Sequence, residues 1–142
     1  MFVFLGHYQK YRINIQACCD AFCHFTYIGV RGPGVIKDCV AVKESGLEKI
    51  ESLPPGYICI GDCAYQPTKH VIPIFGGDLA LRKENDAFNY YASHLRIWIE
   101  MAFGIMTQKW GMLQCLLLLL LYGIKGLICC IGRLHNFVLM KG

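Results

Sequence analysis

Charged side chains are scarce in this 142-residue sequence, and its nine cysteines include no Cys-x-x-Cys pair. Only 17% of the residues are charged while 55% are hydrophobic, which excludes an intrinsically disordered chain. The missing cysteine spacing disfavours a zinc finger, so we expect the thiols to be small buried side chains. The apolar start at Met1–Leu5 lacks the basic residues and cleavage site of a secretory signal, and reduced thiols are therefore expected.

An unbroken apolar run long enough to cross a membrane is also missing. The six leucines at Leu116–Leu121 lie in an apolar stretch of ten residues, Cys115–Ile124, whereas a bilayer requires about 20. Extending the stretch to Ile131 would bury Lys125, at a cost of about 2.5–3.5 kcal/mol. The sequence therefore predicts a buried helix or strand here and no membrane partner, with a membrane-associated fragment as the alternative.

Acidic residues are almost absent from the C-terminal part of the chain. Residues 87–142 contain a single acid, Glu100, against five Lys and Arg residues, whereas residues 1–86 carry nine acids and nine bases. The whole formal charge of +4 thus lies in the last 56 residues. A basic surface there would suit a polyanion such as DNA, although a net charge of this size by itself implies no partner.

The pattern of apolar residues predicts an α/β protein. In chain order it indicates a β-hairpin from residues 12–19 and 22–30, helical pieces over 35–52, a buried strand at 57–60, a loop over 66–91, a helix over 92–113 and a last helix over 127–140. Seven apolar residues at helical spacing form a stripe that we expect to face the core: Leu95, Trp98, Ile99, Ala102, Phe103, Met106 and Trp110.

Two carboxylates are placed where they could share a site. Asp62 follows the predicted buried strand, and Glu100 lies on the predicted helix after the long loop. Carboxylates that converge in this way can hold Mg²⁺ or Mn²⁺, and such ions promote phosphodiester cleavage. A purely structural interpretation remains open, in which Arg96 and Glu100 form an i, i+4 ion pair and Asp62 caps the next segment.

Several blocks of the sequence resemble the DDE-type endonuclease domain of Harbinger (PIF-like) transposases. In the family's order they are Tyr11–Asp20, Gly32–Asp38, Ile60–Pro67, Asn89–Ser93, Arg96–Gly104 and Arg133–Phe137. The resemblance covers about residues 7–137, so residues 1–142 are interpreted as a single domain. It implies an RNase H-like mixed sheet flanked by helices, and divalent-metal-dependent cleavage and strand transfer of DNA at transposon ends.

The resemblance also assigns site residues. The family's second acidic ligand falls on Asp62 in the Gly-Asp-x-x-Tyr block, and its third falls on Glu100 in the Glu-x-x-Phe-Gly block. Asp38 is a candidate supporting residue for the metal, whereas Asp20 lies in the predicted hairpin turn. The family's first ligand precedes the Asn-Ile-Gln block, but residues 1–11 contain no Asp or Glu. We therefore expect that the domain is truncated at its N-terminus and that its sheet is incomplete because the first strand is missing. We also expect that catalysis is impaired.

Partners and location follow from the same resemblance. It implies a Mg²⁺ or Mn²⁺ cofactor, a DNA substrate, a separate DNA-binding partner protein, a homo-oligomer and a nuclear location. The alternative function is a non-catalytic, transposase-derived remnant that binds DNA or a protein partner through its basic C-terminal part.

Packing or capping is expected for His135 and Asn136. Core packing rather than base stacking is expected for the candidate aromatic residues: Tyr65, Tyr90, Tyr91, Trp98 and Trp110.

Overall fold

The structure, a computed structural model, describes residues 13–33, 56–114 and 121–141. Its strands are β1 (Ile13–Cys19), β2 (Phe25–Pro33), β3 (Cys59–Gly61) and β4 (Val71–Pro73). Its helices are α1 (Lys83–Lys109) and α2 (Leu121–Lys141), with short 3-10 helices at Gly77–Leu79 and Gly111–Gln114. Two segments that carry predictions lie outside the described residues. They are the helical pieces over 35–52, with Asp38, and residues 115–120, which include most of the leucine run.

The predicted β-hairpin is confirmed. Strands β1 and β2 pair antiparallel, from Ile13 opposite Pro33 to Cys19 opposite Phe25. The Asp20 carboxylate closes the turn, since its Oδ1 accepts hydrogen bonds from the backbone N–H groups of Phe22 and His24, each 2.9 Å long. Strand β2 continues through Pro33 rather than ending before it, because proline is tolerated at a strand end where no ladder donor is needed.

Strands β3 and β4 form a second, parallel pair, with Cys59 opposite Val71 and Gly61 opposite Pro73. The described residues thus contain two separate two-stranded sheets together with two long helices, and the chain is α/β. The prediction of an uninterrupted loop over 66–91 is wrong. Strand β4 has only three residues, too few to produce a recognisable alternation of apolar and polar side chains.

Helix α1 begins at Lys83, well before the predicted start at residue 92. Its first turns are polar and show no apolar stripe, but Glu84 and Asp86 lie near the positive end of the helix dipole and stabilise it. The predicted stripe faces the core only in its C-terminal part. Leu95 is 58% exposed and Trp98 is also exposed, so the expectation that both are buried is wrong.

One core joins the hairpin to both helices. Helix α1 contributes Ile99, Ala102, Phe103 and Met106, and helix α2 contributes Ile124, Ile128 and Ile131. These side chains pack on the face of the hairpin formed by Ile15, Ala17, Phe25 and Val30. Gly132 permits the close approach of α2, because a Cβ atom there would collide with the Ile28 side chain.

Helix α2 is longer than the predicted helix over 127–140. Its segment Gly123–Lys141 is long and apolar enough to cross a membrane, the one such helix in the described part of the chain, and 28% of that segment is buried within the fold. Core helices of soluble proteins meet the same criterion. Since Ile124 and Ile128 pack against the hairpin, length and composition alone do not assign α2 to a membrane.

Candidate active site

Asp62 lies directly after β3, in a tight turn that fixes its carboxylate. Its Oδ1 accepts a 2.6 Å hydrogen bond from the backbone N–H of Cys63, and its carbonyl oxygen accepts one of 3.0 Å from the backbone N–H of Tyr65. The side chain is 40% exposed. The carboxylate is therefore held by the backbone on one oxygen and accessible from solvent.

Tyr65 anchors this turn to the hairpin. Its ring packs at 3.3 Å from the position that a Cβ atom would take on Gly61, and its hydroxyl donates a 2.5 Å hydrogen bond to Oε1 of Gln16 on β1. Both side chains are buried. The prediction that Tyr65 belongs to the core rather than to a base-stacking surface is confirmed.

A second pair of contacts connects the Asp62 turn to α1. The side chain of Asn89 on α1 accepts a hydrogen bond from the backbone N–H of Phe75 and donates one to its carbonyl, at 2.9 and 3.0 Å. The next residue, Gly76, lies against Cys63, where an added Cβ atom would be 2.7 Å from the Cys63 Cβ. The loop after β4 therefore links α1 to the residue that follows Asp62.

Arg96 on α1 reaches the Asp62 carboxylate. Its Nη2 atom lies 3.9 Å from Oδ2 of Asp62, and its side chain is only 14% exposed. The structure thus gives Arg96 an ion pair with Asp62, a partner other than the Glu100 expected from i, i+4 spacing. Glu100 itself is exposed and follows Arg96 by one helical turn, on the same side of α1.

The structure describes two of the three predicted site residues. Asp62 is brought to α1 at a point one turn from Glu100, whereas Asp38 lies outside the described residues. Within residues 13–33, 56–114 and 121–141, no group of three or more His, Cys, Asp or Glu side chains could hold a metal ion. The residue types of Asp62 and Glu100 suit Mg²⁺ or Mn²⁺, since these ions commonly bind proteins through one or two carboxylates and take their other ligands from water and phosphate.

Asp20 is engaged elsewhere. Its Oδ2 lies 3.1 Å from Nδ1 of His24, within the hairpin turn. Burial alone would raise the pKa of Asp20, but hydrogen bonds from His24 and from the Phe22 N–H outweigh it and hold that pKa below its usual value. The prediction that Asp20 belongs to the turn is confirmed.

A pair of thiols connects β1 to β3 near the Asp62 turn. A hydrogen bond joins the side chains of Cys18 and Cys59. This bond lowers the pKa of the Cys59 thiol to about 7 despite partial burial. The same bond, followed by burial, raises the pKa of Cys18, which therefore remains protonated and acts as the donor.

His135 and Asn136 on α2 hold the hairpin, as predicted for packing residues. The buried His135 donates a 2.9 Å hydrogen bond from Nε2 to the carbonyl oxygen of Cys23, and burial lowers the pKa of its ring. Asn136 makes two 2.8 Å hydrogen bonds with the backbone N–H and carbonyl of Phe25. This last block of the sequence therefore stabilises the core beneath the hairpin turn.

The family follows from comparison with known proteins. A model of the DDE superfamily endonuclease family matches residues 3–136. The chain belongs to the DDE superfamily of endonucleases. No curated protein and no solved structure matches it. Membership implies a DNA substrate, and DDE endonucleases generally use divalent metal ions.

Three features of this DDE endonuclease domain are not evident from residue spacing. Gln16, Asn89 and Gly76 position the Asp62 turn. Gln16 and Asn89 lie inside the family's sequence blocks, which could have indicated them, whereas Gly76 lies outside every block. The expectation of core packing is wrong for Tyr90 and Tyr91, which lie exposed on α1. Their rings meet edge to face, with centroids 5.4 Å apart.

Proposed function

We propose that this chain is the catalytic domain of a Harbinger-like transposase, which cleaves DNA at transposon ends and joins the freed end to target DNA. The observation that carries the proposal is the approach of Asp62 to α1, one helical turn from Glu100. These are the two positions that the resemblance assigns to acidic ligands. The proposal includes an RNase H-like fold, a single domain over residues 1–142 and action in the nucleus.

In this mechanism Asp62 and Glu100 would hold the cation and Asp38 would support it. When bound, Mg²⁺ or Mn²⁺ supplies the electrophilic chemistry that activates water and stabilises the leaving 3′ oxygen of a phosphodiester. The Cys63 N–H fixes one oxygen of Asp62, so the carboxylate is oriented before the cation arrives. The scissile phosphate would approach beside Gly104, where none of the described residues comes within 4 Å of an added Cβ atom.

Residues 1–11 contain no acidic side chain that could act as the family's first ligand when the 142-residue chain is tested by itself. Loss of one preorganised electrostatic group commonly lowers a rate by about 10²–10³-fold. We expect slow, metal-dependent nicking of DNA by the 142-residue chain, and a faster reaction from any longer form that supplies a third carboxylate.

Plasmid nicking tests the proposal. The purified chain is incubated with supercoiled plasmid in Mn²⁺, Mg²⁺ or EDTA, alongside Asp62→Asn, Glu100→Gln and the control Asp78→Asn, whose carboxylate lies exposed on the short 3-10 helix. Nicking should require metal and should be lost in the first two variants but not in the control. Nicking that persists in both site variants would refute the assigned ligands.

The alternative function is DNA binding without catalysis. It is favoured by the charge of +4 in residues 87–142 and by the exposed Tyr90 and Tyr91 rings, since base stacking on aromatic side chains is common in single-strand binding. Fluorescence anisotropy with a labelled oligonucleotide separates the two functions. Binding that is unchanged by EDTA and weakens steeply with salt, in a protein that nicks no plasmid, would support the non-catalytic remnant.

A further inference from the structure

Among the described residues, Arg96 is a cation that contacts the Asp62 carboxylate. Resting on the proposed function, we propose that Arg96 is a positioning residue that holds Asp62 in the metal-free protein and competes with the incoming cation for its carboxylate. The guanidinium lies 3.9 Å from Oδ2 of Asp62, and Glu100 follows Arg96 by one turn of α1.

The two oxygens of Asp62 have different partners. Oδ1 accepts the hydrogen bond from the Cys63 N–H, whereas Oδ2 faces Arg96. The backbone contact can persist when a cation binds, because a carboxylate has about four acceptor positions. The contact with Arg96 must weaken, since a guanidinium and a divalent cation at the same oxygen repel each other. Oδ2 is therefore the oxygen over which Arg96 and the cation compete.

The surroundings of Arg96 limit how far it can move. Its side chain is 14% exposed, so most of it is packed within the fold. Asn89, two turns earlier on α1, is tied to the backbone of Phe75, which keeps this part of the helix close to the Asp62 turn. Arg96 thus remains beside the site after it releases Asp62, and its positive charge offsets the repulsion between Asp62 and Glu100 before the cation binds.

Mn²⁺ binding measured by isothermal titration calorimetry tests this role without any catalytic readout. Removing the competing charge in Arg96→Gln should tighten Mn²⁺ binding about two- to fivefold, the range expected for a partly exposed ion pair. Arg96→Lys, which keeps the charge, should restore an affinity close to that of the wild type. Arg133→Gln, an exposed charge on α2, is the matched control and should leave binding unchanged.

The outcomes separate this inference from the proposed function. If wild type and Arg96→Gln bind Mn²⁺ equally, or the variant binds more weakly while remaining folded, the role of Arg96 is wrong and the metal site stands. If neither binds Mn²⁺, the metal site fails and the inference fails with it. Arg96→Met keeps the packed aliphatic stem if Arg96→Gln unfolds, and unfolding of both variants would make Arg96 a structural residue and overturn the proposal.

Discussion

The hydroxyl of Tyr65 donates its hydrogen bond to Gln16, a residue 49 positions earlier in the chain. This contact joins the turn that carries Asp62 to the central hairpin. Its position suggests that the geometry of the candidate site depends on buried polar contacts as well as on the carboxylates themselves. The four predictions below test the contacts that place the site and the hairpin.

Tyr65→Phe should destabilise the protein by about 1–3 kcal/mol, because it leaves the buried Oε1 of Gln16 without this donor. Urea unfolding followed by circular dichroism measures the change. Tyr57→Phe is the matched control, since Tyr57 is exposed, and it should change the free energy of unfolding by less than about 0.5 kcal/mol. Equal effects of the two substitutions would contradict the assigned role of Tyr65.

Gly76→Ala should disturb the site, because its Cβ atom would lie 2.7 Å from the Cys63 Cβ and push Cys63 away from the loop. We expect lower stability and weaker Mn²⁺ binding, measured by thermal unfolding and calorimetry. Gly104→Ala is the control. Its Cβ atom would have no neighbour within 4 Å in the described part of the chain, and alanine in a helix interior is favoured over glycine by about 1 kcal/mol, so this variant should be more stable.

His135 should make stability depend on pH. Burial lowers the pKa of His135 in the folded protein, so below its ordinary value of 6.5 the unfolded chain takes up a proton that the folded protein resists. The stabilisation that depends on a neutral His135 is therefore present above pH 6.5. It is lost as the pH falls through the pKa that His135 has in the folded protein. The lowered pKa of Asp20 acts in the same direction in a separate window, below about pH 4.

Denaturant unfolding between pH 5 and 8 measures this dependence. His135→Gln keeps a donor for the Cys23 carbonyl but removes the titrating group, so the slope of stability against pH should decrease. His94→Gln, an exposed substitution on α1, should retain the wild-type slope. A slope unchanged in His135→Gln would show that another group controls acid sensitivity.

Cys59 should be alkylated in a pH-dependent manner, with a midpoint near its lowered pKa of about 7, because the thiolate is the reactive form. Iodoacetamide labelling followed by peptide mass spectrometry measures the rate at each pH. Cys18→Ala removes the hydrogen-bond donor and should shift the midpoint to higher pH. A midpoint that does not move in this variant would contradict the thiol pair.

Local sequence patterns were sufficient to predict much of the secondary structure. Alternating apolar and polar residues predicted the hairpin of β1 and β2, and helical spacing predicted the C-terminal two thirds of α1 and most of α2. These features follow from the backbone geometry of short segments. The start of α1 was missed because residues 83–91 carry no apolar period, and β4 because it is too short.

The candidate site, like the secondary structure, could be predicted only in part from the sequence. The sequence by itself determined the family, the acidic positions Asp62 and Glu100, and the lack of any acid in residues 1–11. Only the tertiary structure decided that Arg96 forms an ion pair with Asp62, and that Gln16 accepts the hydrogen bond of the Tyr65 hydroxyl. Such pairings join residues far apart in the chain, and they depend on how helices and sheets pack rather than on any local period.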